Sequence, residues 1–247
     1  MSRPPSEQSS PAGAAQQLAA TIGPAGYAAW RQTVLGRTTE ALEHRLIVEF
    51  AGDVAGDRVL DAGCGDGLLV CALADRGAQV VGLDADRRML VAAAARTRRR
   101  GVRATLVEGR LERLPFADDV FDVVVAVTVL CFVSDASVAV REAARVLRPG
   151  GRLVIGELGR WNAWAARRRV RGWLGDPLWK GTQFRTAGAV RSLIEHAGLS
   201  RVAVRGAVYY PPVTWLARAL APADGWFGHV TTVGAAFIAL AGRKETP

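Results

Sequence analysis

Apolar residues fall along this chain in two alternating kinds of run. Short unbroken apolar blocks predict strands at 57–61, 79–84, 103–107, 121–128 and 152–157. Between them, stretches with apolar residues at helical spacing predict helices near 67–76, 87–99 and 135–147. The block Val123-Val124-Val125-Ala126-Val127 has no polar face, as expected of a strand covered on both sides. Repeated β-α units of this kind specify a parallel sheet with helices on both faces. Upstream, Trp30, Val34, Leu42, Leu46 and Phe50 predict one helix over 27–51. The alternation stops at 158–185 and resumes with a helix over 187–197, ended by Gly198, a strand near 201–208 and a last strand near 233–241. Residues 1–26 are rich in Ala, Gln, Ser, Pro and Gly and read as a disordered tail with no signal-peptide pattern. That leaves 27–247 as one domain.

Chemistry concentrates where the first strand ends. Val59-Leu60-Asp61-Ala62-Gly63-Cys64-Gly65-Asp66-Gly67 leads a buried strand into a loop with glycine at alternate positions. Such a loop tolerates positive φ and lets a ligand approach the backbone. A dinucleotide fingerprint wants Gly or Ala at the position held by Leu68, which counts against NAD. The second strand ends in Asp84, where a carboxylate can accept from a ribose diol.

Together these two segments resemble the first two motifs of the class I S-adenosylmethionine-dependent methyltransferases. The segments Glu108 to Phe116, Phe121 to Val124 and Arg145 to Leu153 follow in that family's order, so the resemblance covers roughly half the chain, 59–157. The branch it is most similar to is the small-molecule and quinone-type one. The resemblance implies an α/β, Rossmann-like, doubly wound sheet of seven strands, mostly parallel with the last strand antiparallel. It also implies S-adenosylmethionine as cofactor, S-adenosylhomocysteine as product and no metal. Asp61 is expected to face the cofactor's ammonium, and Gly63, Cys64, Gly65 and Gly67 to carry the loop past its amino-acid portion. Asp84 is expected to grip the ribose, with Ala85, Met89, Leu111 and Val127 around the rest. One position departs from the family pattern: the residue after Gly109, usually acidic, is Arg110, which has donors and no acceptor.

Methyl transfer to a small-molecule or lipid-like acceptor, at oxygen or carbon, is the expected activity. It needs a base only where the nucleophile starts protonated. His229, Asp135 and Glu157 are the candidates for one. Acceptor specificity is expected in two segments: the lid helix with Tyr27, Trp30 and Arg37, and the insertion 158–185 with Trp161 and Trp164, joined by Tyr209. Within the insertion, residues 160–179 set Trp161, Trp164, Trp173 and Trp179 among five arginines, a mixture suited to a pocket roof or to contact with an anionic membrane.

Net charge is +9 over 247 residues. That raises an RNA methyltransferase as an alternative, and Arg110 a non-catalytic cofactor-binding protein. The arginines at 96–100 suit the solvated end of a helix, which makes nucleic acid the poorer expectation. Cys64, Cys71 and Cys131 have no metal or disulfide spacing, and no run is long enough to span a membrane. The expected setting is cytoplasmic, with room for peripheral membrane contact.

Overall fold

The computed structural model describes residues 23–246. Seven strands form one sheet: β1 (Arg58–Ala62), β2 (Gln79–Asp84), β3 (Thr105–Glu108), β4 (Phe121–Val127), β5 (Leu147–Leu158), β6 (Leu199–Ala207) and β7 (Phe237–Lys244). Their order is β3-β2-β1-β4-β5-β7-β6. β7 runs antiparallel to both neighbours, and the other pairings are parallel. Strands 1 to 3 step one way across the sheet and strands 4 and 5 the other. The reversal lies between β1 and β4, where open α/β sheets hold their ligands.

Both sheet faces are buried, which is why the strand blocks lack a polar face. Val59, Val123, Val125 and Val154 pack in one core beneath α2 (Val34–Ala51) and α3 (Leu68–Ala74). Their neighbours Leu60, Val124, Leu153 and Ile155 pack in the other, beneath α5 (Ala136–Val146) and α7 (Ala187–His196). Helix α4 (Arg87–Arg100) starts on Asp86, whose side chain accepts from Arg88 N–H, and ends on Gly101 in the left-handed conformation.

Three stretches depart from the sequence expectation. The helix expected over 27–51 is two, α1 (Pro24–Gln32) and α2, broken at Thr33. Thr33 is extended, and its Oγ1 accepts from Gly36 N at 2.9 Å to cap α2. A Cβ on Gly36 would stand 2.1 Å from the Trp30 carbonyl oxygen, so glycine is what permits the tight corner. Helix α1 also begins inside the stretch read as a tail; the rest of that stretch, 1–22, lies outside the described residues. The insertion 158–185 contains a helix, α6 (Ala163–Trp173), capped by Asn162, which accepts from Ala165 N at 2.8 Å. Finally, α8 (Thr214–Val230) joins β6 to β7 despite Pro222 in its interior. Its buried Asp224 accepts from Val208 N at 2.9 Å and Tyr209 N at 2.8 Å. Those bonds fix the chain where Val208 leaves β6 at φ 63°.

Candidate active site

A cavity of about 530 Å³ opens at the carboxyl ends of β1, β2 and β4, beside the reversal point. Its floor is the loop after β1. Gly63 and Gly65 take φ of 90° and 52°, and Gly63 N and Cys64 N donate to Leu83 O at 2.7 and 2.9 Å, which fastens the loop to β2. Gly65 N donates to Asp84 Oδ2 and Asp86 N to Asp84 Oδ1, both at 2.8 Å. Both Asp84 oxygens are thereby fixed, while the side chain still lines the cavity. Beneath the loop, Asp61 is buried and its Oδ2 has no hydrogen-bond partner. Burial, aided by the charge of Asp84, pushes its carboxyl up to about 7. Burial also pushes up the Cys64 thiol, reinforced by Asp61 and Asp84.

The roof comes from the N-terminal helices. Tyr27, Trp30 and Arg31 of α1 and Glu40, Glu43, His44 and Ile47 of α2 line it. Arg31 ties the roof to the floor, bonding both oxygens of Asp66, Nη2 to Oδ1 at 2.9 Å, and Glu40 Oε1 at 2.5 Å. From α4, Arg96 reaches the same carboxylate at 2.5 Å and the Asp66 carbonyl at 2.9 Å. Burial alone would raise the Asp66 carboxyl; the bonds and charges of Arg31 and Arg96 outweigh it and hold the carboxyl below its ordinary value.

The structure brings most of the sequence candidates to this cavity. Asp61, Gly63, Cys64, Gly65, Asp84, Ala85, Met89, Arg110, Leu111 and Val127 line it, together with Tyr27 and Trp30. Arg110 turns toward Glu112, Nη2 to Oε1 at 3.1 Å, so an acidic group does stand at this end of the cavity, two residues later than the family pattern has it. Gly67 is not in the wall; a Cβ there would meet Ala93 at 2.9 Å, so its glycine serves the packing of α3 against α4.

Other candidates stand elsewhere. Arg37 is exposed and bonds the Gln32 carbonyl. Trp161 is 63% exposed, between Arg160 and Arg169. Trp164 is buried behind the wall, donating Nε1 to Tyr210 O at 2.8 Å, and the Tyr209 hydroxyl donates to Thr231 O. The three candidate bases also stand away from the cavity. His229 sits in the last turn of α8, with Nδ1 2.9 Å from Gly225 O. Asp135 caps α5, accepting from Ser137 N at 2.8 Å. Glu157 is 0% exposed inside β5, bonded to Leu158 N at 2.9 Å and paired with Arg185 at 3.4 Å. None of the three lines the cavity. Sequence reasoning passed over Arg31, Glu40, Glu43 and Asp66, although helical spacing puts positions 40, 43, 44 and 47 on one face of α2.

Comparison with known proteins completes the picture. Residues 60–155 match the methyltransferase domain family. An uncharacterized protein of Mycobacterium tuberculosis is 34% identical over 191 residues, 76% of this chain and 62% of the relative; the match thus spans under two thirds of that protein's length. The ubiquinone biosynthesis O-methyltransferase of Idiomarina loihiensis is 30% identical over 165 residues, 63% of this chain and 67% of the enzyme. The chain belongs to the class I S-adenosylmethionine-dependent methyltransferases. The fold of this methyltransferase matches that of a solved Thermotoga maritima relative, described as a possible histamine N-methyltransferase, with a TM-score of 0.67 at 22% identity over 89% of this chain and 94% of the other. Its sheet is the family's, six strands parallel and the last antiparallel. Among the described residues of this methyltransferase no cluster of His, Cys, Asp or Glu could hold a metal ion, and no helix is long and apolar enough to cross a membrane.

Proposed function

We propose that this chain transfers a methyl group from S-adenosylmethionine to a small-molecule or lipid-like acceptor, at oxygen or carbon, by in-line displacement. One observation carries the reading: a single cavity joins a glycine cradle containing an unpartnered buried carboxylate to an apolar chamber under α1 and α2. The residues fit the cofactor. Asp61 Oδ2 lacks the donor that the cofactor's ammonium would supply, and the space above Gly65 is open, with nothing within 4 Å of where a Cβ would stand. Asp84, held by two backbone amides, keeps lone pairs for a ribose diol.

Bound there, S-adenosylmethionine supplies an electrophilic methyl on a sulfonium. The protein's task is alignment, which is worth about 7–11 kcal/mol when the reacting atoms are held in line. Trp30, Leu68, Val129, Phe132 and Leu178 supply apolar walls, and the Arg31–Asp66 tie keeps α1 across the mouth, excluding water. Calorimetric titration with S-adenosylhomocysteine should show binding to wild type. Asp84→Ala removes charge-assisted bonds and should weaken it about 10- to 100-fold. No heat at millimolar ligand would overturn the reading.

A peripheral membrane contact is a second proposal, favoured by α6. Trp173 and Leu174 at the end of α6 are each 82% exposed, with exposed Val170 and Arg167 one and two turns earlier on the helix. Such a face suits the headgroup level of an anionic bilayer. Sedimentation with phosphatidylglycerol vesicles should pellet the protein, and Trp173→Ser with Leu174→Ser should return it to the supernatant; recovery of wild type in the supernatant removes the proposal.

A further inference from the structure

The cavity wall contains a half-buried acid with no hydrogen bond or ion pair among the described residues. Most of the wall carboxylates are committed. Asp66 is paired with Arg31 and Arg96, Glu40 with Arg31, Asp86 with Arg88, and Glu112 with Arg110 and Ser134. Asp84 is held by two backbone amides. Asp61 lies beneath the glycine loop, and Glu108 is exposed at the end of β3. Glu43 remains, half-buried, on the face of α2 that roofs the chamber, with no hydrogen bond or ion pair among the described residues.

An unpaired cation lies near it. Arg168 of α6 has its guanidinium between two indoles, 5.3 Å from the Trp164 ring centre and 4.9 Å from that of Trp179, and it likewise makes no hydrogen bond or ion pair among the described residues. Its charge acts on Glu43 and on Tyr27 of the roof. Tyr210 joins the elements that carry the two. Trp164 Nε1 donates to Tyr210 O at 2.8 Å, and the Tyr210 hydroxyl is 3.0 Å from that of Thr39, one turn before Glu43 on α2. A guanidinium clamped on aromatic faces is weakly hydrated and stays charged. It therefore offers Glu43 a fixed field without occupying its oxygens. The acid is left free to take a proton from something in the chamber.

We propose that Glu43 is the general base for an acceptor hydroxyl of the phenol or enol class, and that Arg168 is the positioning residue that sets its readiness. The proposal rests on the methyl-transfer reading and narrows its acceptor atom to oxygen. The acceptor O–H proton moves to a Glu43 carboxylate oxygen. The oxygen's electron pair forms the new bond to the methyl carbon, and the pair of the broken carbon–sulfur bond returns to sulfur. The carboxylic acid then releases its proton to water. A thioether acceptor, which has no proton to lose, would leave such a base without work. Burial pushes the Glu43 carboxyl up to about 7, with Arg168 opposing and Glu40 adding to the rise, which is the range in which a base works best near neutrality. Tyr27 and Tyr210 also face it, both pushed up to about 12 and so neutral there. His44, the neighbouring wall residue, is held below its ordinary value by burial and by the charges of Arg31 and Arg76.

The test uses the full chain, methyl-labelled cofactor and two probe acceptors, 4-methylphenol and 4-nitrophenol, between pH 6 and 9. Wild type should methylate both, with a rate on 4-methylphenol that rises with pH through Glu43's ionisation. E43Q should lower kcat for 4-methylphenol about 100-fold with KM within about threefold. It should cost 4-nitrophenol, which ionises unaided, less than about tenfold. R168M should move the rising limb to higher pH, so that the rate lost at pH 7 is regained by pH 9, and R168K should restore the limb. H44Q should leave the limb in place. The proposal is overturned by equal losses of E43Q on both phenols, by a limb that disappears with H44Q instead, by an R168M loss that is the same at every pH, or by wild type that binds S-adenosylhomocysteine and methylates neither phenol. Failure to bind S-adenosylhomocysteine at all is the different result that removes the methyl-transfer reading itself.

Discussion

Gly63→Ala is expected to weaken S-adenosylhomocysteine binding at least about 100-fold while the far-UV circular dichroism stays that of wild type. Two costs combine at this position. Gly63 holds φ at 90°, a conformation that costs a residue with a Cβ about 1–2 kcal/mol. The added Cβ would also stand 2.6 Å from Val129 Cγ2 and 2.8 Å from Val129 Cβ, well inside contact distance. Val129 has little freedom to retreat, because it follows Thr128, itself at φ 48° with its N–H on Gly156 O at 2.7 Å. Overpacking of this kind costs about 1–3 kcal/mol more. In the free chain the loop can relieve both costs by moving; binding must then drive it back. Gly65→Ala is the control. Its φ of 52° is strained, but nothing lies within 4 Å of the new Cβ, so only the backbone cost applies and the loss should be about tenfold. Equal affinities for Gly63→Ala and wild type, measured calorimetrically, would show that the loop is not the cofactor's cradle.

What the sequence disclosed and what it withheld divide along a physical line. Strand blocks such as Val123–Val127 are buried on both faces, so their apolar runs were readable, and the seven strands fall close to where they were expected. Asp61, the glycine loop and Asp84 were legible as the cavity's floor because a strand end followed by alternating glycines is a local pattern. The roof was not. Thr33 breaks α1 from α2 through a cap and a close crossing at Gly36, and a helical period running through 27–51 hides both. Glu43 and Arg168 reveal themselves only when α6 folds back, since neither carries a sequence signal beyond being charged on a helix. The candidate bases lie away from the cavity for the converse reason. His229, Asp135 and Glu157 have suggestive chemistry in one dimension, yet one lies in a last helical turn, one caps a helix and one is sealed in a strand. Helix α8, with Pro222 inside it, defeats propensity altogether; burial of Ala217 and the bonds to Asp224 hold it in place.

The second large effect concerns Asp61, and it couples binding to pH. In the free protein its carboxyl sits near 7 because burial, and then the Asp84 charge, oppose ionisation. The folded-state value lies above the unfolded one, so the stability tied to the neutral form is fully present below about pH 4 and is lost as pH rises through about 7. A tenfold change in acidity between the two states corresponds to about 1.4 kcal/mol. A cationic ammonium placed against Oδ2 reverses the preference and returns the carboxylate to its charged form. The affinity for S-adenosylhomocysteine, and the rise in Tm that it produces, should therefore grow between pH 6 and pH 8 in wild type. Asp61→Asn removes the ionisation. It should bind about 100-fold more weakly at pH 8, through loss of a buried charge-assisted bond, and its affinity should show no rise over the same range. Without ligand the variant should be more stable than wild type at pH 8, because no charge is left to bury. Lower affinity joined to higher stability would place Asp61 among residues kept at a cost to the fold for the sake of the ligand. A wild-type affinity that is flat from pH 6 to pH 8 would mean that no ammonium meets this carboxylate.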